Sequence, residues 1–593
     1  MKKDHIAPIA ALLLLLGARP AAAQWQTQSL VVKPGWTAVY LFVDASYTNL
    51  DFLVGSDSGN PIQEIWMWQP AVSSIQYINN PLAPISGGSQ WAAWERLGTG
   101  LPSTLASLAP NSAYLIHSTA TTNYTWNVKG RPVAPVYSWN TGGINLIGFP
   151  TVTNNAPLLD NFLALAPTFQ SVATIYQYRG GNLSANNPAL VFAPHGVTVA
   201  RGQAFWINET NFVNDYFGPF QVVAAGNATA FSTNFSSTSL RLINRTASAL
   251  TINLTLQPSE TPPLGQGSTV PPLPPVIVRG ALNASNLVYD ATSLNTAPLS
   301  WTLPPQGQSG ADIALVLGVN RAAMTNGAGA QYAGILRFTD SRNFTEVDLP
   351  VSAQAGSYAG LWVGSVALSQ VANYLKTYQT NLDGTMAQST NGAYQVASLN
   401  TNLGTTAAPF PMRLILHNDG TSVNLLPRVY YGADLGSNII VATTESALDT
   451  AQLGSARRIS AVQFPMTNLT CRFTGQLLPG ATLTAQTTIA YDDQANNPFL
   501  HTYHPDHDNL DATFQNQLPV GVESYQIDRS ITLNLLAPGN DFVSLTRFGQ
   551  TFSGAYAETL TLSGINFAPR AFNMAGAFSI TRVSPIPVLS GPH

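Results

Sequence analysis

The sequence predicts an all-β protein built of several sandwich or barrel domains in tandem. Three observations carry this. Short runs of Val, Ile, Leu, Thr, Tyr and Phe alternate with polar residues, as in Leu250-Thr-Ile252-Asn-Leu254-Thr-Leu256 and Ile531-Thr-Leu533-Asn-Leu535, and a period of two is the mark of a half-buried strand. The 46 Gly and 41 Pro punctuate those runs. The 593 residues exceed what one hydrophobic core organises.

At the N-terminus, Lys2 and Lys3 precede an apolar run, Ile6 to Ala18, and Ala21-Ala22-Ala23 precedes Gln24. Residues 1–23 are therefore expected to be a secretory signal peptide cleaved after Ala23, leaving a product that is secreted or held at the cell surface. No later stretch approaches the roughly 20 apolar residues of a membrane-spanning helix. Cys471 is the single cysteine. It has no internal disulfide partner, so stability must come from core burial, and its alternating setting, Leu469-Thr-Cys471-Arg-Phe473, reads as a strand core.

The next 200 residues read as two copies of one domain, 24–132 and 133–223. Pro34-Gly-Trp36 to Val43 answers Thr141 to Pro150. Ile62-Gln-Glu-Ile65-Trp66-Met-Trp68-Gln69 answers Val172-Ala-Thr-Ile175-Tyr176-Gln-Tyr178-Arg179. Leu108 to Ile116 answers Val199 to Ile207, and Tyr124-Thr-Trp126-Asn-Val128 answers Tyr216 to Val222. Four blocks in one order at a period near 100 residues indicate paired domains rather than a solenoid.

Residues 224–260 read as a β-hairpin segment. The Pro-rich stretch 261–276 reads as an extended linker separating two halves of the chain. Residues 277–354 are expected to form a small sandwich. Its closing hairpin, Tyr332 to Asp340 and Thr345 to Val351, resembles the last two strands of bacterial immunoglobulin-like modules, which implies an immunoglobulin-like fold there. Residues 355–593 open with Gly360-Leu-Trp362-Val-Gly364 and close with Gly576-Ala-Phe578-Ser-Ile580-Thr-Arg582-Val583. Glycine-punctuated aromatic strands at both ends suggest a larger β barrel or sandwich with a long His/Asp loop. Ala367 to Thr377 fits either a short helix or a strand. Asn418-Asp-Gly420 marks a hairpin turn. Gly360-Leu-Trp362-Val-Gly364, the terminal Gly576-x-Phe578-x-x-x-Arg582-Val583 and the block His504-Pro-Asp506-His507-Asp508-Asn-Leu-Asp511 together resemble uncharacterised exported multi-β-domain proteins of environmental bacteria, a resemblance that implies no known activity.

The densest chemistry lies in His501-Thr-Tyr-His504-Pro-Asp506-His507-Asp508-Asn-Leu-Asp511. Three of the chain's eight histidines stand here beside three carboxylates, in a protein only 9% charged. Imidazole and carboxylate ligands suit zinc, and clustered carboxylates suit calcium. His501, His504, His507, Asp506, Asp508 and Asp511 are thus the candidate ligands of a divalent metal. The spacing matches neither His-Glu-x-x-His nor an EF-hand, and ordering of a long loop by Asp–His hydrogen bonds is the competing reading. A second constellation is aromatic. Trp66, Trp68, Trp91, Trp94 and Trp126 crowd copy one, with Tyr176, Tyr178, Trp206 and Tyr216 in copy two. The repeat-matched rings are expected in the core, which leaves Trp91 and Trp94 as candidate surface residues for stacking on polysaccharide. His117 and His195 stand alone in their repeats and read as structural.

The net charge of −4 becomes −6 without the signal segment, and only three lysines remain. The basic footprint of a nucleic-acid-binding protein is missing, as is any Gly-x-Ser-x-Gly elbow, Walker loop or dinucleotide fingerprint. The expectation is an exported, non-enzymatic binding or structural protein of the bacterial exterior, with polysaccharide or other surface proteins as partners. The alternative is a metal-dependent hydrolase using the His501–Asp511 loop.

Overall fold

The fold was read from a computed structural model. It describes residues 24–69, 80–85, 90–96, 103–140, 143–166, 170, 173–192, 196–209, 218–232, 236–388, 390, 395–400, 410–433, 439–448, 456–461, 471–491, 493, 496–499, 525–547, 549–564 and 567–590. The protein is all-β and multi-domain, about 52% strand and 5% helix. The chain divides into two compact units, residues 1–324 with 330–355, and residues 325–329 with 356–593.

The first unit begins with β1 (Gln26–Val32), β2 (Gly35–Leu41), β3 (Val43–Asp44), β4 (Ile62–Trp68), β5 (Trp91–Glu95), β6 (Ser112–Ser118) and β7 (Tyr124–Pro132). They form two sheets, β1-β7-β3 and β2-β6-β4-β5. In β2 the residues Ala38, Val39, Tyr40 and Leu41 are all buried, so both faces of the strand are covered. One face, with Val39 and Leu41, packs on Leu30, Trp126 and Val128 of the smaller sheet. The other face meets the second copy.

That copy comprises β8 (Asn145–Gly148), β9 (Ala173–Gln177), β10 (Ala189–Leu190) and β11 (Ala204–Glu209). Its sheet order is β8-β11-β9-β10, which repeats β2-β6-β4-β5 strand for strand. A short helix, Leu159–Leu163, precedes β9 as the π-helical turn Asp51–Gly55 precedes β4. The duplicated pair is thus visible in topology. The two sheets meet face to face through Tyr40, Trp66, Trp68 and Trp91 on one side and Leu146, Tyr178 and Trp206 on the other. Backbone bonds stitch the seam, Trp36 N to Gly181 O at 3.0 Å and Tyr40 N to Gly202 O at 2.8 Å.

The fourth block of the duplication diverges. In copy one it is β7, which stays in its own domain. In copy two it becomes β12 (Phe220–Val223), which joins a two-sheet sandwich with β13 (Thr229–Phe231), β14 (Ser237–Asn244), β15 (Leu250–Pro258), β16 (Val276–Asn283), β17 (Val288–Ser293), β18 (Leu299–Leu303), β19 (Asp312–Val319), β20 (Gln331–Asp340) and β21 (Glu346–Gln354). One sheet runs β12-β14-β19-β16-β17 and the other β13-β21-β20-β15-β18, enclosing Leu242, Leu254, Leu317, Phe338 and Leu349. The hairpin expected over 332–351 is the β20–β21 pair. The Pro-rich stretch 261–276, expected to separate two halves, instead crosses between the two sheets of this one sandwich, from β15 to β16. Proline imposes extended backbone but leaves the carbonyl free to accept, and the Pro272 and Pro275 carbonyls take the amides of Ala333 and Asn320 at 3.0 and 2.9 Å. An extended segment so fastened serves inside a domain as well as between domains.

The second unit contains β22 (Gly360–Tyr378), β23 (Val396–Asn400), β24 (Phe410–Asn418), β25 (Val423–Leu425), β26 (Arg428–Ala433), β27 (Ile439–Ala442), β28 (Arg457–Ser460), β29 (Cys471–Phe473), β30 (Thr482–Ile489), β31 (Gln526–Leu535), β32 (Thr551–Gly564) and β33 (Phe567–Ser584). The main path runs β29-β25-β24-β22-β33-β32-β31-β30, with β23 on β22. Its ends meet where Thr474 and Thr484 exchange backbone hydrogen bonds of 2.7 and 3.0 Å, so the sheet curls into a barrel. The segment Ala367 to Thr377, for which a helix and a strand were both open, lies in strand β22, paired with β24 and β33. The expected turn is present: Gly420 has φ +97° between β24 and β25.

Side chains alternate along β31 and β32 of this barrel. Ile527, Ile531, Leu533, Phe552, Tyr556 and Leu560 are buried, while Ser530, Asn534, Ser553, Ala557 and Thr559 face out. Polar outside and apolar inside is the reverse of a lipid-embedded barrel. Among the described residues no helix is long and apolar enough to cross a membrane. A small sheet, β27-β26-β28, covers part of the outer wall through Leu361, Ile415, Val429 and Val441.

Candidate functional site

The ligand candidates His501, His504, Asp506, His507, Asp508 and Asp511 lie outside the described residues, as do His195, Tyr216 and the expected signal segment 1–23. The roots of the loop that carries the candidates are described. They spring from the end of the β30–β31 pair, where Ile489 and Ile527 pack on Leu560. Asn497 is buried, and its amide donates to the carbonyls of Ala490 and Tyr525 at 2.9 and 2.7 Å. Asp493 caps the turn by accepting the Asn496 amide at 3.1 Å, and Phe499 meets Tyr525 edge to face at 5.2 Å. Both ends of the loop are tied to one rigid frame.

Trp91 and Trp94 are a correction. They were expected at the surface for sugar stacking, yet they are only 7% and 2% exposed. Trp91 packs edge to face on Trp68 at 5.2 Å in the seam between the two copies. Trp94 points to the other side, into the core of copy one, where its Nε1 donates to Asp51 Oδ1 at 2.8 Å. Strand β5 is sandwiched between the seam and that core, so neither of its tryptophans presents a ring to solvent.

The aromatic and acidic groups that do reach the surface form a row across the same sheet. Trp36 on β2 stands opposite His117 on β6, His117 opposite Glu64 on β4, and Glu64 opposite Glu95 on β5. Cross-strand neighbours on one face approach closely enough for their side chains to interact, and here they do. The His117 ring stacks on Trp36 at 4.8 Å and 23°. Its Nδ1 lies 3.3 Å from Glu64 Oε1, while Glu64 Oε2 accepts from Trp66 Nε1 at 2.9 Å. His117 and Glu64 keep 29% and 23% of their side-chain surface exposed. Glu95 ends the row, and its Oε2 is a buried carboxylate oxygen with no hydrogen-bond partner among the described residues. A half-exposed indole beside the partly exposed Glu64 carboxylate offers a ring face for C–H groups and an acceptor for hydroxyls. Sequence reading missed this row because its members are far apart in the chain. The one available signal was that Trp36 and Glu64 both begin repeat-matched strands.

A further ionic centre of this unit is deeply buried at Arg201, Glu346 and Asp348 and partly exposed at Arg337. Arg337 donates to Asp348 at 2.8 Å, and Arg201 donates to the Glu346 carbonyl at 2.7 Å, bracing copy two against the sandwich. Inside the barrel of the second unit, Arg529 pairs with Glu558 at 2.6 Å with both side chains 1% exposed, and Tyr556 donates to the same carboxylate at 2.5 Å. Burial, reinforced by the Glu558 charge, pushes the Tyr556 phenol well above its usual range. Arg529, Glu558 and Tyr556 are shielded from any substrate and act as internal struts.

No protein-family model and no curated protein matches this chain. Among solved structures, the crystal structure of the Pseudomonas aeruginosa CupB2 chaperone is similar to 34% of this chain and 97% of its own, at 11% identity and a TM-score of 0.14. A likeness at that score carries no argument.

Proposed function

We propose that this chain is an exported protein of the bacterial exterior that works by binding, and that its N-terminal pair of β domains captures polysaccharide. The row Trp36–His117–Glu64–Glu95 carries the reading. It joins a stacked, half-exposed aromatic pair to the Glu64 carboxylate in a row across the four strands of one sheet. Export follows from the leading segment 1–23, whose basic start, apolar run and Ala-x-Ala end have the pattern of a cleaved signal. An immunoglobulin-like assignment of the sandwich is supported by its two facing sheets. The resemblance to uncharacterised exported multi-β-domain proteins agrees with this reading.

A glycan array probed with the mature chain tests it, beside the variants Trp36→Ala and Glu64→Gln. Selective glycan signals that fall about tenfold in both variants are expected, the scale of one charged hydrogen bond or one stacked ring. An unchanged glycan profile in both variants would sink the proposal.

The pinned roots of the 490–525 loop favour a second reading, a divalent-metal site there serving a hydrolase. Elemental analysis of the purified chain and of a His501→Ala, His504→Ala, His507→Ala variant decides it. About one equivalent of metal, lost in the variant, supports the site. Metal-free protein removes it.

A further inference from the structure

The connection from β31 to β32 forms one wall of an open cleft of about 410 Å³ at an end of the barrel. The volume falls in the range of small-ligand sites, about 300–1,000 Å³. From the facts of this cleft we infer a second binding site, for the carboxylate-bearing sugar units of an acidic polysaccharide.

Charge is the first argument. The chain carries only 25 lysines and arginines in 593 residues, and most buried arginines described above are committed to carboxylates or carbonyls. Arg547 lines the cleft, is exposed, and its guanidinium has no side-chain partner among the described residues. Asp541, the acidic residue of the same connection, is engaged in accepting the Ser544 amide at 2.9 Å. A guanidinium left uncommitted presents a fork of donors that matches a carboxylate.

The lining supplies the rest of the chemistry. Leu536 and Val543 are exposed on the walls of the cleft, with Pro538 beside them, and offer apolar surface to the C–H face of a sugar ring. Ser544 and Thr551 bring hydroxyls that can donate to or accept from sugar hydroxyls.

A peptide fits less well. Recognition of an extended peptide by a sheet uses a free strand edge, and here there is none: β32 is paired on both sides, with β31 and β33, and the Ser553 carbonyl already accepts the Leu536 amide at 2.9 Å. The site therefore reads its ligand by side chains alone.

The inference shares its ligand class with the proposed function but uses none of the residues of the Trp36 row, so the two fail separately. The test is calorimetric titration of the full mature chain with trigalacturonate, with its fully methyl-esterified form, and with acetate and inorganic phosphate. The variants are Arg547→Gln and Leu536→Ser, both at exposed positions. Saturable binding of trigalacturonate is expected to weaken about tenfold or more in Arg547→Gln, in the methyl ester and at high salt, and to weaken in Leu536→Ser as well. Equal binding of acetate or phosphate would mean an unselective anion site and overturn the inference. So would trigalacturonate binding that Arg547→Gln leaves unchanged, even if Trp36→Ala abolishes glycan signals elsewhere. Absence of any trigalacturonate binding overturns it too.

Discussion

Arg529 and Glu558 meet diagonally inside the barrel across neighbouring strands β31 and β32, Nε to Oε1 at 2.6 Å, in a wall lined by Ile, Leu and Phe besides Tyr556, which also donates to Glu558. Charges in such a place are held by each other. Removing one strands the other in a low-dielectric interior, which typically costs about 3–5 kcal/mol, whereas replacing both by apolar groups is often neutral. Glu558→Ala should therefore destabilise the second unit by about that amount, and Arg529→Met with Glu558→Leu should recover most of it. Denaturant unfolding of the three proteins checks this; equal midpoints for the single and double variants would refute it.

Cys471 lies beside that pair and is itself fully buried. Burial pushes its thiol above the usual range, and the partial pull of Arg529 does not reverse the direction. The thiolate is the reactive form, so the native protein should resist alkylation by iodoacetamide at neutral pH over hours and label quickly in denaturant. Rapid labelling of the native chain would contradict the closed interior.

The seam between the two N-terminal copies is set by a glycine. A Cβ on Gly148 would lie 2.3 Å from the Tyr40 Cβ, and Tyr40 is wholly buried. Gly148→Ala should cost about 3 kcal/mol, the upper end of ordinary overpacking. Gly181→Ala makes the contrast. It meets nothing within 4 Å but has φ +75°, so the penalty is the left-handed backbone alone, about 1–2 kcal/mol. Thermal unfolding of both variants should rank them in that order.

His417 gives the second unit a pH dependence. Burial lowers its basicity, against the opposing pull of the Ile586 carbonyl and Asp419. The carbonyl accepts from Nε2 at 3.1 Å, so Nε2 carries the proton of a neutral ring, and Nδ1 is buried without a partner among the described residues. The folded state thus binds a second proton less readily than the unfolded chain, whose histidines titrate near 6.5. Its stability contribution is intact above about pH 6.5 and is lost as the pH falls below that toward the lowered folded value, with a slope of at most about 1.4 kcal/mol per pH unit. Subtracting the unfolding free energy of His417→Gln from that of wild type between pH 4.5 and 8 should isolate this slope. A flat difference would refute it.

Local sequence determined a good deal of this protein. Alternation in Leu250–Leu256 and Ile531–Leu535 fixed both as strands and assigned the buried face, since a period of two needs only neighbouring residues to be legible. Three of the four matched blocks fall on corresponding strands of two sheets with one strand order, while the fourth diverges. What alternation does not encode is which other sheet covers a face. Trp91 and Trp94 read as spare surface aromatics because their burial depends on copy two lying across one side of β5 and the core of copy one on the other. The prolines of 261–276 imposed extension but left open whether that extension joins two domains or two sheets. The row of Trp36, His117, Glu64 and Glu95, and the pairing of Arg529 with Glu558, exist only through strand register. Register is settled when whole faces are buried together, so only the tertiary structure decided which distant residues became neighbours.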